Sequence, residues 1–135
     1  MMESLDDIRR KIEEMAVLIN APEGLFPSFN GANVNRFSYI ETGKFIYHNV
    51  GTDGGREVKR TTVSSLDELL YLVFEGITFE MAVSYGKDHI VMGEDFRRVF
   101  FRRQLELLDR LNSHWKEQRA SEIESILKFH PYIDK

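Results

Sequence analysis

The densest group of side chains with metal-binding chemistry is Asp88-His89-Ile90-Val91-Met92-Gly93-Glu94-Asp95, which sets four oxygen or nitrogen ligands within eight residues. Gly93 would let the chain fold so that those ligands converge on a cation. A local reading competes with this one and is the stronger. Carboxylates at the start of a helix are favoured by its positive end, and Glu94 and Asp95 stand where a new helix begins. No metal site and no cofactor site is therefore assigned. His48, His114 and His130 have no ligand-spaced partner and read as ordinary surface or half-buried imidazoles.

Two further carboxylates sit where charge is unexpected. Glu75 has Tyr71, Leu72, Thr78 and Phe79 three and four positions away on a helix, and Glu80 has Gly76, Ile77, Val83 and Ser84. Neither lies on a polar face, so each needs a cation or a cleft. Arg97 is the attractive internal partner, because Phe101 and Gln104 follow it on the inward side. Glu75, Glu80 and Arg97 are thus candidates for a structural network; a recognition surface and a paired-carboxylate acid/base site are the alternatives. Little else supports catalysis. The chain has no cysteine and no serine in a nucleophile elbow. Asp53-Gly54-Gly55 lies between strands and lacks the lysine and hydroxyl of a phosphate loop. No catalytic residue is assigned, and the expected mode of action is binding.

Charge narrows the partner. The net charge is -4, but residues 65–95 hold seven carboxylates against Lys87 alone, a local balance of -6. Residues 96–135 carry nine Lys or Arg against six Asp or Glu, a balance of +3. An acidic middle grips a phosphate backbone poorly, so nucleic acid is not expected as partner. It suits a basic protein surface, unless the two segments neutralise one another within the fold.

The elements that must position these groups read as one α+β domain spanning 1–135. Leu5, Ile8, Ile12, Met15 and Ile19 form one apolar helical stripe, predicting a helix over 4–20 with Ser4 as its cap and Asn20-Ala21-Pro22 as its stop. A loop anchored by Phe26 and Phe29 follows. Residues 36–62 alternate with period two and predict a three-stranded antiparallel meander. Its turns are placed at Thr42-Gly43 and within Gly51-Thr52-Asp53-Gly54-Gly55, and Phe37, Tyr39, Phe45 and Tyr47 are expected on one aromatic face. Arg56–Thr62 reads as a polar edge strand. Residues 65–130 are helical, making about four helices in all. Ser65 and Glu68 form a capping box for a long, almost wholly apolar central helix, in which Gly76 and Gly86 would each allow close packing. A third helix runs from about Glu94 to Leu111. Ser113 would cap a last one carrying Trp115, Ile123, Ile126 and Leu127 inward.

A distributed set of residues carries a further signal. Thr61-Thr62, Leu66-Asp67-Glu68-Leu69-Leu70-Tyr71, Phe74-Glu75, Thr78-Phe79-Glu80-Met81-Ala82 and Tyr85 resemble the immunity protein 63 family of bacterial polymorphic-toxin systems. So do Asp95-Phe96-Arg97-Arg98, Phe101, Gln104-Leu105-Glu106-Leu107-Leu108, Leu111, Trp115, Glu122-Ile123, Ile126-Leu127 and His130-Pro131. The likeness spans about residues 45–132. It implies an immunity protein that binds and neutralises a cognate toxin domain by occlusion, with no catalysis of its own; a basic nuclease toxin would match the acidic segment. Glu75, Glu80, Asp88, Glu94 and Asp95 are the carboxylates such a partner could meet. The alternative is a small-molecule or peptide-binding regulatory domain using the aromatic sheet face. Charges spread through Met1–Asn20 argue against a secretion signal, and Asp67, Glu68, Glu75 and Glu80 against a membrane span for the apolar run, so the expected location is the cytoplasm. The sequence does not set the oligomeric state.

Overall fold

The computed structural model describes residues 3–135; Met1 and Met2, part of the stretch read for targeting, lie outside them. Among the described residues the element order is α1 (Leu5–Val17), β1 (Ser38–Gly43), β2 (Ile46–Asp53), β3 (Arg56–Val63), α2 (Leu66–Lys87), α3 (Phe96–Leu111) and α4 (Ser113–Phe129). The three strands form an open antiparallel sheet in the order β1-β2-β3, so the fold is α+β. Contacts divide the chain into two compact units, one ending at Ile77 and one running Thr78–Lys135, with α2 continuous through the boundary. By length and composition α2 could cross a bilayer, yet half of its most apolar window is buried within the protein.

In the first unit Ser4 caps α1 by accepting the Asp7 N–H at 3.1 Å. Ile8, Ile12, Ala16 and Ile19 are buried along one stripe, as a 3.6-residue period requires. The regular helix stops at Val17, short of residue 20. Asn20 takes a left-handed φ of +54°, and the Ala21 N–H then reaches back to the Ala16 carbonyl at 3.0 Å, which closes the helix end. Arg36 fastens the following loop through Glu23 at 2.7 Å and the Phe26 carbonyl, while Phe29 lies under Arg9.

The sheet departs from expectation in its first turn. β1 runs through Gly43, which pairs with Ile46, so the turn is Lys44-Phe45 and Phe45 adopts φ +64°. A two-residue turn here pairs odd- with even-numbered residues: Tyr39 faces Val50, and Tyr47 faces Thr42. Tyr39 and Tyr47 therefore point to opposite faces. Phe37 and Phe45 lie outside the strands and are exposed. No single aromatic face exists; Ile40 and Tyr47 are buried on one face and Val50 on the other, and the Tyr47 hydroxyl accepts the Glu3 N–H. The second turn is Gly54-Gly55 with φ +60° and +84°, a conformation suited to a hairpin and to glycine.

β3 pairs along one side with β2 and is mostly exposed, an edge as its polarity indicates. Its register slips between Gly51 and Thr52, leaving Val58 as an extra, exposed residue. That bulge and the charges of Arg56, Glu57, Lys59 and Arg60 discourage pairing with another strand. Arg60 binds Glu41 at 2.8 Å and Glu57 at 3.0 Å across the outer face, over a fully buried Val50.

Ser65 and Glu68 start α2 as a reciprocal cap: the Glu68 N–H donates to Ser65 Oγ and that hydroxyl donates to the Glu68 carboxylate. The two glycines of α2 differ. A Cβ on Gly86 would stand 2.9 Å from the Phe96 ring, so its bareness admits that ring. A Cβ on Gly76 would meet nothing within 4 Å, so no close packing explains it.

The second unit folds on Ala82, Phe100, Phe101 and Ile123, with Phe79, Val83, Leu105, Ile126, Leu127 and Tyr132 packed against them. Phe100 stands edge-on to Phe79 and Phe101. Asn112 rather than Ser113 caps α4, because its extended backbone lets Oδ1 accept the His114 and Trp115 N–H groups at 2.9 and 3.3 Å.

Candidate functional site

The segment joining α2 to α3 has three consecutive exposed apolar residues, Ile90, Val91 and Met92, between the exposed carboxylates Asp88 and Glu94. Met92 is 92% exposed. The segment is held at both ends. On the α2 side His89 stacks on Tyr85 with ring centroids 3.8 Å apart and bonds the Tyr85 carbonyl through Nδ1 at 2.8 Å; Arg103 lies 4.6 Å from the same tyrosine ring. On the α3 side Gly93 turns the chain with φ +86°, and the Glu94 N–H closes onto the Val91 carbonyl.

Asp95 shows why the local reading of the acidic cluster was the stronger. Its Oδ1 accepts the Arg97 N–H at 2.9 Å and so caps α3. The same carboxylate pairs with the Arg97 guanidinium at 3.0 Å and accepts the Ile133 N–H at 2.8 Å. Those groups hold the Asp95 carboxyl well below the usual carboxylate range, the Arg97 side chain contributing most. Asp134 is held down likewise, first by Arg98 at 2.8 Å and then by the Asp95 N–H at 2.7 Å. Among the described residues no group of three or more His, Asp or Glu is placed to hold a metal.

Arg97 is committed elsewhere than the sequence suggested. Its guanidinium binds Asp95 and the carbonyls of His130 and Pro131, at 2.7 and 2.8 Å, instead of Glu80 on α2. The Glu80 side chain is exposed and makes no hydrogen bond or ion pair among the described residues; Glu75 is half-buried. Of the five carboxylates proposed for a partner, Glu80, Asp88 and Glu94 stand in solvent, Glu75 is partly covered and Asp95 is bound within the unit.

A second network escaped sequence reasoning. Gln104, fully buried on α3, donates from Nε2 to Thr78 Oγ1 at 3.2 Å and accepts from Arg119 Nε at 3.0 Å. Arg119 also reaches Glu122 at 3.1 Å. The signal was present: Arg119 falls four residues from both Trp115 and Ile123, on the apolar stripe of α4. An arginine there has to be paired or hydrogen-bonded.

This is a small α+β scaffold whose α2–α3 connection sets three consecutive exposed apolar residues between two exposed carboxylates. A family model described as Immunity protein 63 matches residues 43–125. The chain belongs to the immunity protein 63 family. No curated protein and no solved structure matches it. The match takes in β2, β3, α2, α3 and most of α4. It leaves out α1 and everything after 125, including Ile126, Leu127, His130 and Pro131, which the sequence resemblance had counted.

Proposed function

We propose that the chain is a cytoplasmic antidote of a bacterial polymorphic-toxin system, binding the toxic domain of a cognate effector and occluding its active site without catalysis of its own. One observation supports a contact there: Ile90, Val91 and Met92 stand exposed between two exposed carboxylates, Asp88 and Glu94, that make no ion pair among the described residues, on a segment anchored at both ends. Interfaces draw most of their affinity from a few apolar anchors inside a polar rim. Asp88, Glu94 and, on α2, Glu80 would meet cations, and complementary charge speeds docking. A nuclease, whose substrate face is basic, is the toxin class that fits. Family membership supports the role.

The test is co-expression with the toxic domain encoded beside this chain. Growth should be restored by the wild-type chain and lost with Ile90→Ser/Met92→Ser, both exposed substitutions that leave the core intact. Killing unchanged by the wild-type chain would refute the proposal.

A further inference from the structure

The five arginines of α3 are not alike. Arg97 and Arg98 are bound to Asp95 and Asp134. Glu106 stands three or four residues from Arg102, Arg103 and Arg110, within reach of each on a helix. It pairs with Arg103 at 3.2 Å, and the Arg103 guanidinium also lies 4.6 Å from the Tyr85 ring centroid. Arg102 and Arg110 are exposed, and neither side chain makes a hydrogen bond or ion pair among the described residues.

Arg102 differs in what surrounds it. It lines a cleft of about 300 Å³ where the end of α2, the first residues of the connection and α3 meet. Ile90, Val91 and Val99 give that cleft apolar walls, the first two belonging to the surface already proposed as the contact. The walls are set in place. His89, which also lines the cleft, is stacked on Tyr85, and its Nδ1 carries the proton that bonds the Tyr85 carbonyl. Beyond Met92 the Lys135 N–H donates to the Gly93 carbonyl at 2.8 Å and ties down the far end of the connection. Arg103 and Glu106 neutralise one another, so one positive charge in the cleft is uncompensated, that of Arg102. The matching occupant carries one negative charge on an apolar stem. A phosphate lacks the stem, and Asp88 and Glu94 on the same connection repel a polyanion.

We infer that the cleft receives one Asp or Glu side chain of the toxin domain, its carboxylate on the Arg102 guanidinium and its methylenes against Ile90, Val91 and Val99. Guanidinium and carboxylate pair as a two-pronged fork, which fixes orientation as well as charge. The toxin face then presents an acidic side chain among the basic groups opposite Asp88 and Glu94, and a face that is merely basic would meet an unpaired Arg102. The inference rests on the proposed function and specifies its partner.

The test is the dissociation constant between the full chain and an active-site-inactivated form of the toxic domain encoded beside it. Arg102→Glu should weaken binding about tenfold or more, with an unchanged melting temperature because the side chain is exposed. Arg110→Glu makes the same change of net charge about two turns further along α3 and should stay within about twofold of wild type. Arg102→Lys, which keeps the charge but not the fork, should fall between them. Changing the exposed Asp and Glu residues of the toxin domain to Arg one at a time should then yield one variant that restores binding to the Arg102→Glu chain and weakens it to wild type. A loss with Arg102→Glu no greater than with Arg110→Glu, or the absence of any such compensating variant, would overturn the inference and leave the proposed function standing. No binding by the wild-type chain would overturn both.

Discussion

Two polar networks within residues 78–135 use the same chemistry in opposite settings. Thr78, Gln104 and Arg119 are buried, and their bonds tie α2, α3 and α4 to one another. Asp95 and Arg97, part-buried, and Arg98 and Asp134, at the surface, tie residues 130–135 to the start of α3. In the first, each partner was taken out of water, so losing one exposes the others to an unfavourable medium. In the second, water can replace the partners of the exposed Arg98–Asp134 pair, and the network chiefly sets where a segment lies. One network stabilises the unit; the other shapes its surface.

The comparison can be broken by substitution. Gln104→Leu should cost about 2–3 kcal/mol, because it removes both the acceptor for Arg119 Nε–H and the donor to Thr78. Adding Arg119→Met should lose less than the sum of the two single changes, as replacing a whole buried polar pair by apolar groups generally does. Urea unfolding of the four proteins tests this; strict additivity would mean that the two residues do not act as a unit. Asp95→Ala comes next. It removes the cap of α3 and the acceptor for the Ile133 N–H, and should lower the melting temperature and speed amide exchange at Ile133 together.

Acid should separate the networks without mutation. Folding depresses the carboxyls of both Asp95 and Asp134, so their contribution is complete above the ordinary aspartate range near pH 4 and is lost as the pH falls below it. Amide exchange at Ile133 and Lys135 should therefore rise in that window while the buried amides around Gln104 stay protected, since glutamine and threonine do not titrate there. Simultaneous loss of both would show that residues 130–135 are part of the core. The smallest effect belongs to Asp134→Ala: global stability barely changed, because the Arg98 pair is exposed, with faster exchange confined to residues 131–135.

Much of the fold was legible because it rests on periodicity. The stripe of α1, the apolar α2, the Ser65–Glu68 cap and the polar edge β3 each follow from local spacing. The meander was legible too, but its facing was not. Which aromatics share a face depends on turn length, and the Lys44-Phe45 turn puts a phenylalanine at a positive φ where glycine would be expected. The acidic connection could be recognised as a run of carboxylates and apolar residues. That Asp95 turns inward could not, because its partners Ile133 and Asp134 are almost forty residues away. Gly76 remains without a packing reason in the structure.

The central claim is that this acidic, apolar-tipped surface captures a toxin domain. Isothermal titration of the purified chain with the inactivated toxic domain encoded beside it tests that directly. The expected result is saturable one-to-one binding that weakens as salt rises and is reduced by Ile90→Ser/Met92→Ser. Absence of binding heat with the wild-type chain, together with undiminished activity of the uninactivated toxin in its presence, would contradict the account.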